Sequence, residues 1–337
     1  MRLLHGIAIT FVVGLCTIAP ATAASLTKDQ VFELYRAVVA VQADVPADAR
    51  TANSLGRTRR GGGVVIDGNG LVLTIGYLVL EASSVSLTDF EGREIPASII
   101  AYDHETGFGL LRALSPLAVE PVRLGRSSEV EKNDPVLALG PDGPQPVTPQ
   151  RVVDRRPFAG YWEYLLENAI FTAPAHPGFG GAPLINRNGE VVGIGSLFVN
   201  DAFRGPPPLA GNMFVPIDLL KPIMADLLTS GRRTAPAHPW LGLTTNEAAG
   251  RVFVTRVTKG GPADAAGMQA GDIIMGVGGQ TVHGMVDFFR RIRARGVAGT
   301  EIPMDVLSAG GKSMSAGRVV VRSRDRHDWL KLSTGSN

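Results

Sequence analysis

Apolar residues fall along most of this chain in short runs broken by turn-forming residues. Residues 63–66, then Asp67-Gly68-Asn69-Gly70, then 71–74 read as strand, turn, strand, because Asp-Gly and Asn-Gly supply the positive φ angles of tight hairpins. Similar runs at 85–88, 94–100, 109–111, 136–139, 169–172, 184–186 and 191–196 predict further strands, with Glu91-Gly92 and Asn188-Gly189 as turn signals. Helical spacing is rarer. Val31, Phe32, Leu34, Tyr35, Val38 and Val39 predict a helix from about 27 that turns into a strand near 38–41. Leu219, Leu220, Ile223, Leu227 and Leu228 predict a helix over 217–228, and 43–60, small, polar and basic, predicts a loop. Strands are predicted at 241–243 and 252–257, and Met285, Phe288, Phe289 and Ile292 put one apolar face on a helix over 285–295. Many short strands between glycine turns favour an all-β barrel or sandwich over a parallel α/β sheet.

The stretch 231–239, GRRTAPAHP, is basic and proline-bearing and predicts a linker. The expected organisation is a signal peptide at 1–23, an N-terminal segment at 24–60, a barrel domain at 61–230, the linker, a small domain at 240–325 and a tail at 326–337. A length of 337 residues leaves room for two or three domains, and 45% hydrophobic against 19% charged residues excludes wholesale disorder. A net charge of +2 is too balanced to make nucleic acid the default partner.

Arg2, the apolar run 6–15 and Ala21-Thr22-Ala23 have the charge, length and small residues of a cleavable signal peptide. The run is shorter than the ~20 residues of a spanning helix. Leu15 is too bulky for a lipid-anchoring box at Cys16. The expected product is periplasmic or secreted, with no transmembrane helix in the mature chain. Cys16 is the one cysteine, so the processed chain would have no disulfide, thiolate metal site or cysteine nucleophile.

Three stretches resemble the HtrA-type trypsin-like proteases, a periplasmic family. They are GGVVID at 62–67 with Leu73-Thr74, LGRSSEVEKNDPVLALG at 124–140, and PGFGGAPL at 177–184 followed by Asn186 and GEVVGI at 189–194. Beyond the linker, Trp240-Leu241-Gly242-Leu243 is similar to the carboxylate-binding loop of a PDZ domain. GPADAAGM at 261–268 and GDII at 271–274 follow the rest of that pattern once, not twice. The resemblance implies a mainly β chain, a chymotrypsin-like double β-barrel followed by an α+β PDZ domain.

Proteolysis of this type needs a serine oxygen that attacks, an imidazole that takes its proton and a carboxylate that orients the imidazole. The resemblance puts Gly180 at the serine position, Tyr77 at the histidine position and Gly107 at the aspartate position. A phenol titrates near ~10 and is a poor base at neutral pH. Loss of such a triad removes on the order of 10⁶ in turnover. His104 and His176 lie close in sequence to Gly107 and Gly180, but neither brings an aligned serine and carboxylate, so both read as loop histidines. His238, His283 and His327 complete the mature set, and no metal-ligand spacing or cofactor motif is present. Gly311-Lys312-Ser313 lacks the leading glycine of a phosphate loop, since position 306 is Val306, and reads as a hairpin turn. Gly61-Gly62-Gly63 opens no helix, which leaves nucleotide binding unsupported.

Two binding features remain. Gly178 and Gly180 can present backbone N–H groups as an oxyanion-like nest, or simply preserve a turn. The loop Trp240, Leu241, Gly242 and Leu243, with Met285, Phe288, Phe289 and Ile292 as a wall or as core, is the expected site for a peptide added as a strand with its terminal carboxylate held by N–H groups. Arg290, Arg291, Arg293 and Arg295 read as a solvated face. Phe32 and Tyr35 either pack on the barrel or, as the resemblance allows, mediate a homotrimer. The expectation is an exported pseudoprotease that binds peptides or unfolded proteins through C-terminal carboxylates, as a regulator, adaptor or chaperone-like protein in envelope quality control. Its rivals are an active serine endopeptidase using non-aligned residues and a structural subunit of an envelope complex.

Overall fold

The computed structural model describes residues 26–141, 145–310 and 313–332. The expected signal peptide with Cys16, and the Gly311-Lys312 part of the expected turn, lie outside the described residues. Strands β1 (Val38–Asp44), β2 (Thr58–Val65), β3 (Leu71–Ile75), β4 (Ser84–Thr88), β5 (Glu94–Tyr102) and β6 (Phe108–Ala113) close into one barrel in the order β1-β2-β3-β6-β5-β4. A second barrel closes from β7 (Pro135–Leu139), β8 (Val147–Gly160), β9 (Tyr164–Ala173), β10 (Pro183–Ile185), β11 (Val191–Phe203) and β12 (Leu209–Pro216), in the order β10-β11-β12-β9-β8-β7. The chain is mainly β, as the turn-rich pattern implied. Every residue of β3 is buried, so it reads as a continuous apolar run instead of an alternation. Its Leu73 pairs with Val64 and Leu110 in the first barrel's core.

Helix α1 (Lys28–Arg36) starts on a capping box, in which the Thr27 hydroxyl accepts from the Gln30 N–H and the Gln30 side chain accepts from the Thr27 N–H. Thr27→Ala removes one arm and is expected to cost about 1 kcal/mol locally, which would speed amide exchange in the first turn about fivefold. Phe32 and Tyr35 of this helix clasp Phe90 edge-on at 5.3 and 5.6 Å, and the Tyr35 hydroxyl donates to the Pro141 carbonyl, so both pack on the barrels.

The expected loop at 43–60 is instead the end of β1, a short α2 (Ala52–Leu55) and the start of β2. Arg59 organises it from below, its guanidinium donating to the carbonyls of Tyr77 and Leu80 and to the Thr51 hydroxyl. The expected helix over 217–228 is two 3₁₀ turns, Ile217–Leu219 and Lys221–Ile223, before α3 (Met224–Ser230). Pro222 is the physical reason, since it has no N–H for an α-helical bond and restricts the residue before it.

The third sheet holds β13 (Leu243–Ala248), β14 (Arg251–Val257), β15 (Ile273–Val277), β16 (Gln280–Thr281), β17 (Glu301–Gly310) and β18 (Ser313–Arg322), with α4 (Pro262–Ala265) and α5 (Met285–Ala294) packed on it. Its apolar cluster contains Leu241, Val252, Phe288, Ile302 and Val321, and one residue of the second barrel, Leu165.

This sheet is tied to the barrels through the expected linker and tail. Arg233 pairs with Asp103 and Glu105 of the first barrel, and Arg232 with Asp325 and Asp328. The chain after 325 forms α6 (Arg326–Trp329), with Trp329 against Trp240, the Arg50 guanidinium over the Trp329 ring, and the Lys331 N–H donating to Glu81. No helix among the described residues is long and apolar enough to cross a membrane.

Candidate functional site

The cleft between the barrels brings together the three positions that the resemblance assigns to catalysis. At the end of β3 a 3₁₀ turn, Gly76–Leu78, delivers Tyr77. The Gly76 N–H donates to the Gly107 carbonyl at 2.6 Å, which joins this turn to the start of β6. Gly180 lies in the turn between β9 and β10, and its carbonyl accepts from the Gly62 N–H at 2.7 Å. A Cβ on Gly180 would sit 2.6 Å from the Tyr77 hydroxyl, closer than any real carbon tolerates. The Tyr77 phenol therefore takes the space above Gly180, donates to the Ser196 carbonyl at 3.2 Å, and is held protonated by burial, far above the ordinary tyrosine range. Gly107 adopts φ +85°, and a Cβ there would lie 3.1 Å from the Tyr164 hydroxyl, which donates to the Thr106 carbonyl.

The turn holding Gly180 is clasped by β11. Gly181 N–H donates to the Gly195 carbonyl, and Gly195 N–H to the Ala182 carbonyl. The N–H groups of Gly178 and Gly180 have no acceptor among the described residues. Both N–H groups are thus without acceptors among the described residues, and the Tyr77 hydroxyl lies where a Cβ on Gly180 would stand.

His176 sits beneath this turn, fully buried. Its Nδ1 meets the Thr148 hydroxyl at 2.8 Å, its backbone N–H donates to Asn212, and its Nε2 has no partner among the described residues. Burial lowers its pKa, so the ring is neutral. Among the described residues this buried hydroxyl–imidazole pair has no carboxylate on the ring, and it fills space left by Gly140 and Gly178. His104 is held down to about 4 by burial, against the raising charges of Asp103, Glu105 and Asp325. Among the described residues no three His, Cys, Asp or Glu side chains converge as a metal site.

The second region is the loop before β13. Gly242 holds φ +81°, which turns the backbone so that neighbouring N–H groups point the same way. Leu241 N–H and Leu243 N–H donate to the two carboxylate oxygens of Glu163, at 2.8 and 2.6 Å. Glu163 lies at the tip of the β8–β9 hairpin. Two residues earlier, the Tyr161 carbonyl accepts from the Thr245 N–H of β13 at 2.9 Å. Phe289 and Ile292 of α5 line a small cavity with Trp240 and Glu163, whereas Met285 and Phe288 face the sheet's own core. The arginines of α5 are not all solvated: Arg290 is exposed and pairs with Glu167 of β9, but Arg293 is half-buried and donates to the Leu165 carbonyl at 3.1 Å.

Sequence reading did not single out Tyr161, Glu163, Tyr164 or Leu165. The only signal in the run Gly160-Tyr161-Trp162-Glu163-Tyr164 is a lone acid among aromatics, and its partner loop lies about eighty positions away.

Residues 61–194 match the model of a trypsin-like peptidase domain, and residues 253–307 match that of a PDZ domain. A probable periplasmic serine endoprotease, DegP-like, from Hahella chejuensis is 27% identical over 267 residues, covering 74% of this chain and 54% of the relative. The serine protease Do-like HtrA of Bacillus subtilis is 28% identical over 253 residues, covering 66% and 55%. The chain thus spans about half the length of these curated relatives. Among solved structures, an HtrA-type protease AlgW with a decapeptide superposes with a TM-score of 0.52 at 20% identity over 88% of this chain and 97% of that one. A serine endoprotease from Yersinia pestis gives 0.53 at 22% identity, covering 90% of this chain and 100% of that one.

Proposed function

We propose that this chain, a trypsin-like peptidase domain followed by a PDZ domain with relatives described as DegP- and HtrA-type serine proteases, has given up hydrolysis and instead holds the C-termini of peptides or unfolded proteins. The observation that carries this reading is the Tyr77 hydroxyl lodged where a side chain at 180 would stand. Neither Tyr77, protonated and half-buried, nor Gly107, with no side chain, supplies the base or its orienting partner. What survives is a loop that already binds a carboxylate through two backbone N–H groups, beside the β13 edge, where the Thr245 N–H donates to the Tyr161 carbonyl. The solved relative with a decapeptide supports a peptide as the ligand class, and the relatives described as periplasmic support the cell envelope as the place. A regulator, adaptor or chaperone-like role in envelope protein quality control follows from that chemistry and place.

The test uses a fluorescein-labelled heptapeptide, PFAGYWL, with a free carboxylate, and its C-terminal amide. Fluorescence anisotropy on the full chain should show the free acid binding at least tenfold more tightly than the amide. Gly242→Glu should remove that preference, because it strains the left-handed turn and sets a second carboxylate against the incoming one. Equal binding of acid and amide to the wild type would overturn the reading.

A further inference from the structure

The groove that would take a peptide is filled by the protein itself. In strand addition at a sheet edge, backbone pairing of the ligand lies a short spacing before the terminal carboxylate that N–H groups capture. The β8–β9 hairpin reproduces that spacing: the Tyr161 carbonyl pairs with Thr245, and two residues on, the Glu163 side chain delivers a carboxylate to Leu241 and Leu243. The apolar anchor comes from Leu165, 2% exposed, which belongs to the apolar cluster of the third sheet and α5 instead of either barrel core. Arg326 donates to the Trp162 carbonyl, Arg293 to that of Leu165, and Arg290 pairs with Glu167, so three cations hold the hairpin tip in place.

Glu163 also adopts φ +60°, a left-handed conformation that is unfavourable for a non-glycine residue and persists only where surroundings impose it. The geometry points to the β8–β9 tip as a built-in pseudo-ligand, a side-chain mimic of a peptide C-terminus, which a free C-terminus must displace to enter the groove. Burial pushes the Glu163 carboxyl up to about 7, against the pull of the Leu241, Leu243 and Gly242 N–H groups and the charge of Arg326. The carboxylate is therefore held at a desolvation penalty.

The hairpin can be a pseudo-ligand only if the groove takes peptide carboxylates, so the experiment separates the two. The free-acid and amide forms of PFAGYWL, which copy residues 157–162 and end on a leucine carboxylate, are titrated against wild type, Glu163→Gln, Glu163→Ala, and Glu163→Ala with Leu165→Ser. Circular dichroism confirms that each is folded, and Glu163→Gln keeps the shape of the turn. The expected result is free-acid affinity at least tenfold tighter for Glu163→Ala than for wild type, tighter again for the double variant, and several-fold tighter for Glu163→Gln. Equal carboxylate-dependent binding by all four proteins would overturn the pseudo-ligand while leaving the groove reading intact. No preference for the free acid in any of them would sink both. In unmutated protein, a saturating free-acid peptide should speed amide exchange at 159–166 while 241–245 stay protected. Unchanged exchange at 159–166 with peptide bound would mean that the hairpin is not displaced.

Discussion

The full-length protein carrying Gly180→Ser alone should hydrolyse casein no faster than the wild type. Restoring the hydroxyl gives an oxygen with no base to activate it, because Tyr77 is a half-buried, protonated phenol and Gly107 offers nothing to orient an imidazole. The new Cβ would also lie 2.6 Å from the Tyr77 oxygen, so the phenol must leave its bond to the Ser196 carbonyl before the serine fits. Triad losses in comparable enzymes amount to about 10⁶ in turnover, and one of three members restores little because the members act as a unit. Changing Tyr77→His as well supplies an imidazole but still no carboxylate, and a carboxylate at 107 has to accept φ +85° with the Tyr164 hydroxyl 3.1 Å from its Cβ. Steady casein hydrolysis by the single Gly180→Ser protein would show that a base reaches this cleft after all.

Phe108→Ala should lower the unfolding free energy of the first barrel by about 3–5 kcal/mol in urea denaturation, the range for truncating a buried phenylalanine. Phe108 opens β6, is fully buried, and pairs with Ile75 at the end of β3. The strands on either side are hydrogen-bonded and cannot collapse freely onto the void, which places the loss at the upper part of that range. The same change loosens the junction where the Gly76 N–H meets the Gly107 carbonyl, so the turn bearing Tyr77 should gain mobility. A loss below 1 kcal/mol would mean that the ring is not a core anchor.

Elements with strong local codes were legible in the sequence. The β2–β3 hairpin declares itself through Asp67 and Gly70, and Asp67 does close the turn by accepting from Asn69 and Leu71 N–H groups. Helix α5 declares itself through its apolar period, and all four residues that carry the period are buried. The failures have equally local causes. Strand β8 carries Arg151, Asp154, Arg155 and Arg156 on positions that a half-covered barrel wall tolerates, so no alternation marks it. Arg156 stays there by covering the Phe171 ring and pairing with Asp154 and Asp201.

For the cleft, motif order along the chain pointed to positions 77, 107 and 180, which the fold sets near one another. It could not show that Tyr77 fills the space over Gly180, because that is a fact of packing. The groove was half legible. Its loop has a glycine-centred signature, but its occupant is set by tertiary contact across two domains, and one acid at a hairpin tip leaves no periodic trace.

The claim on which all of this stands is that the barrels enclose no working hydrolytic centre. The most direct measurement is incubation of the purified wild-type protein with a serine-directed fluorophosphonate probe and, in parallel, with casein over many hours. The account predicts no specific labelling and no casein fragments beyond those seen with heat-denatured protein. Labelling or cleavage that disappears on substitution of one hydroxyl residue, Thr148 beside His176 included, would contradict it.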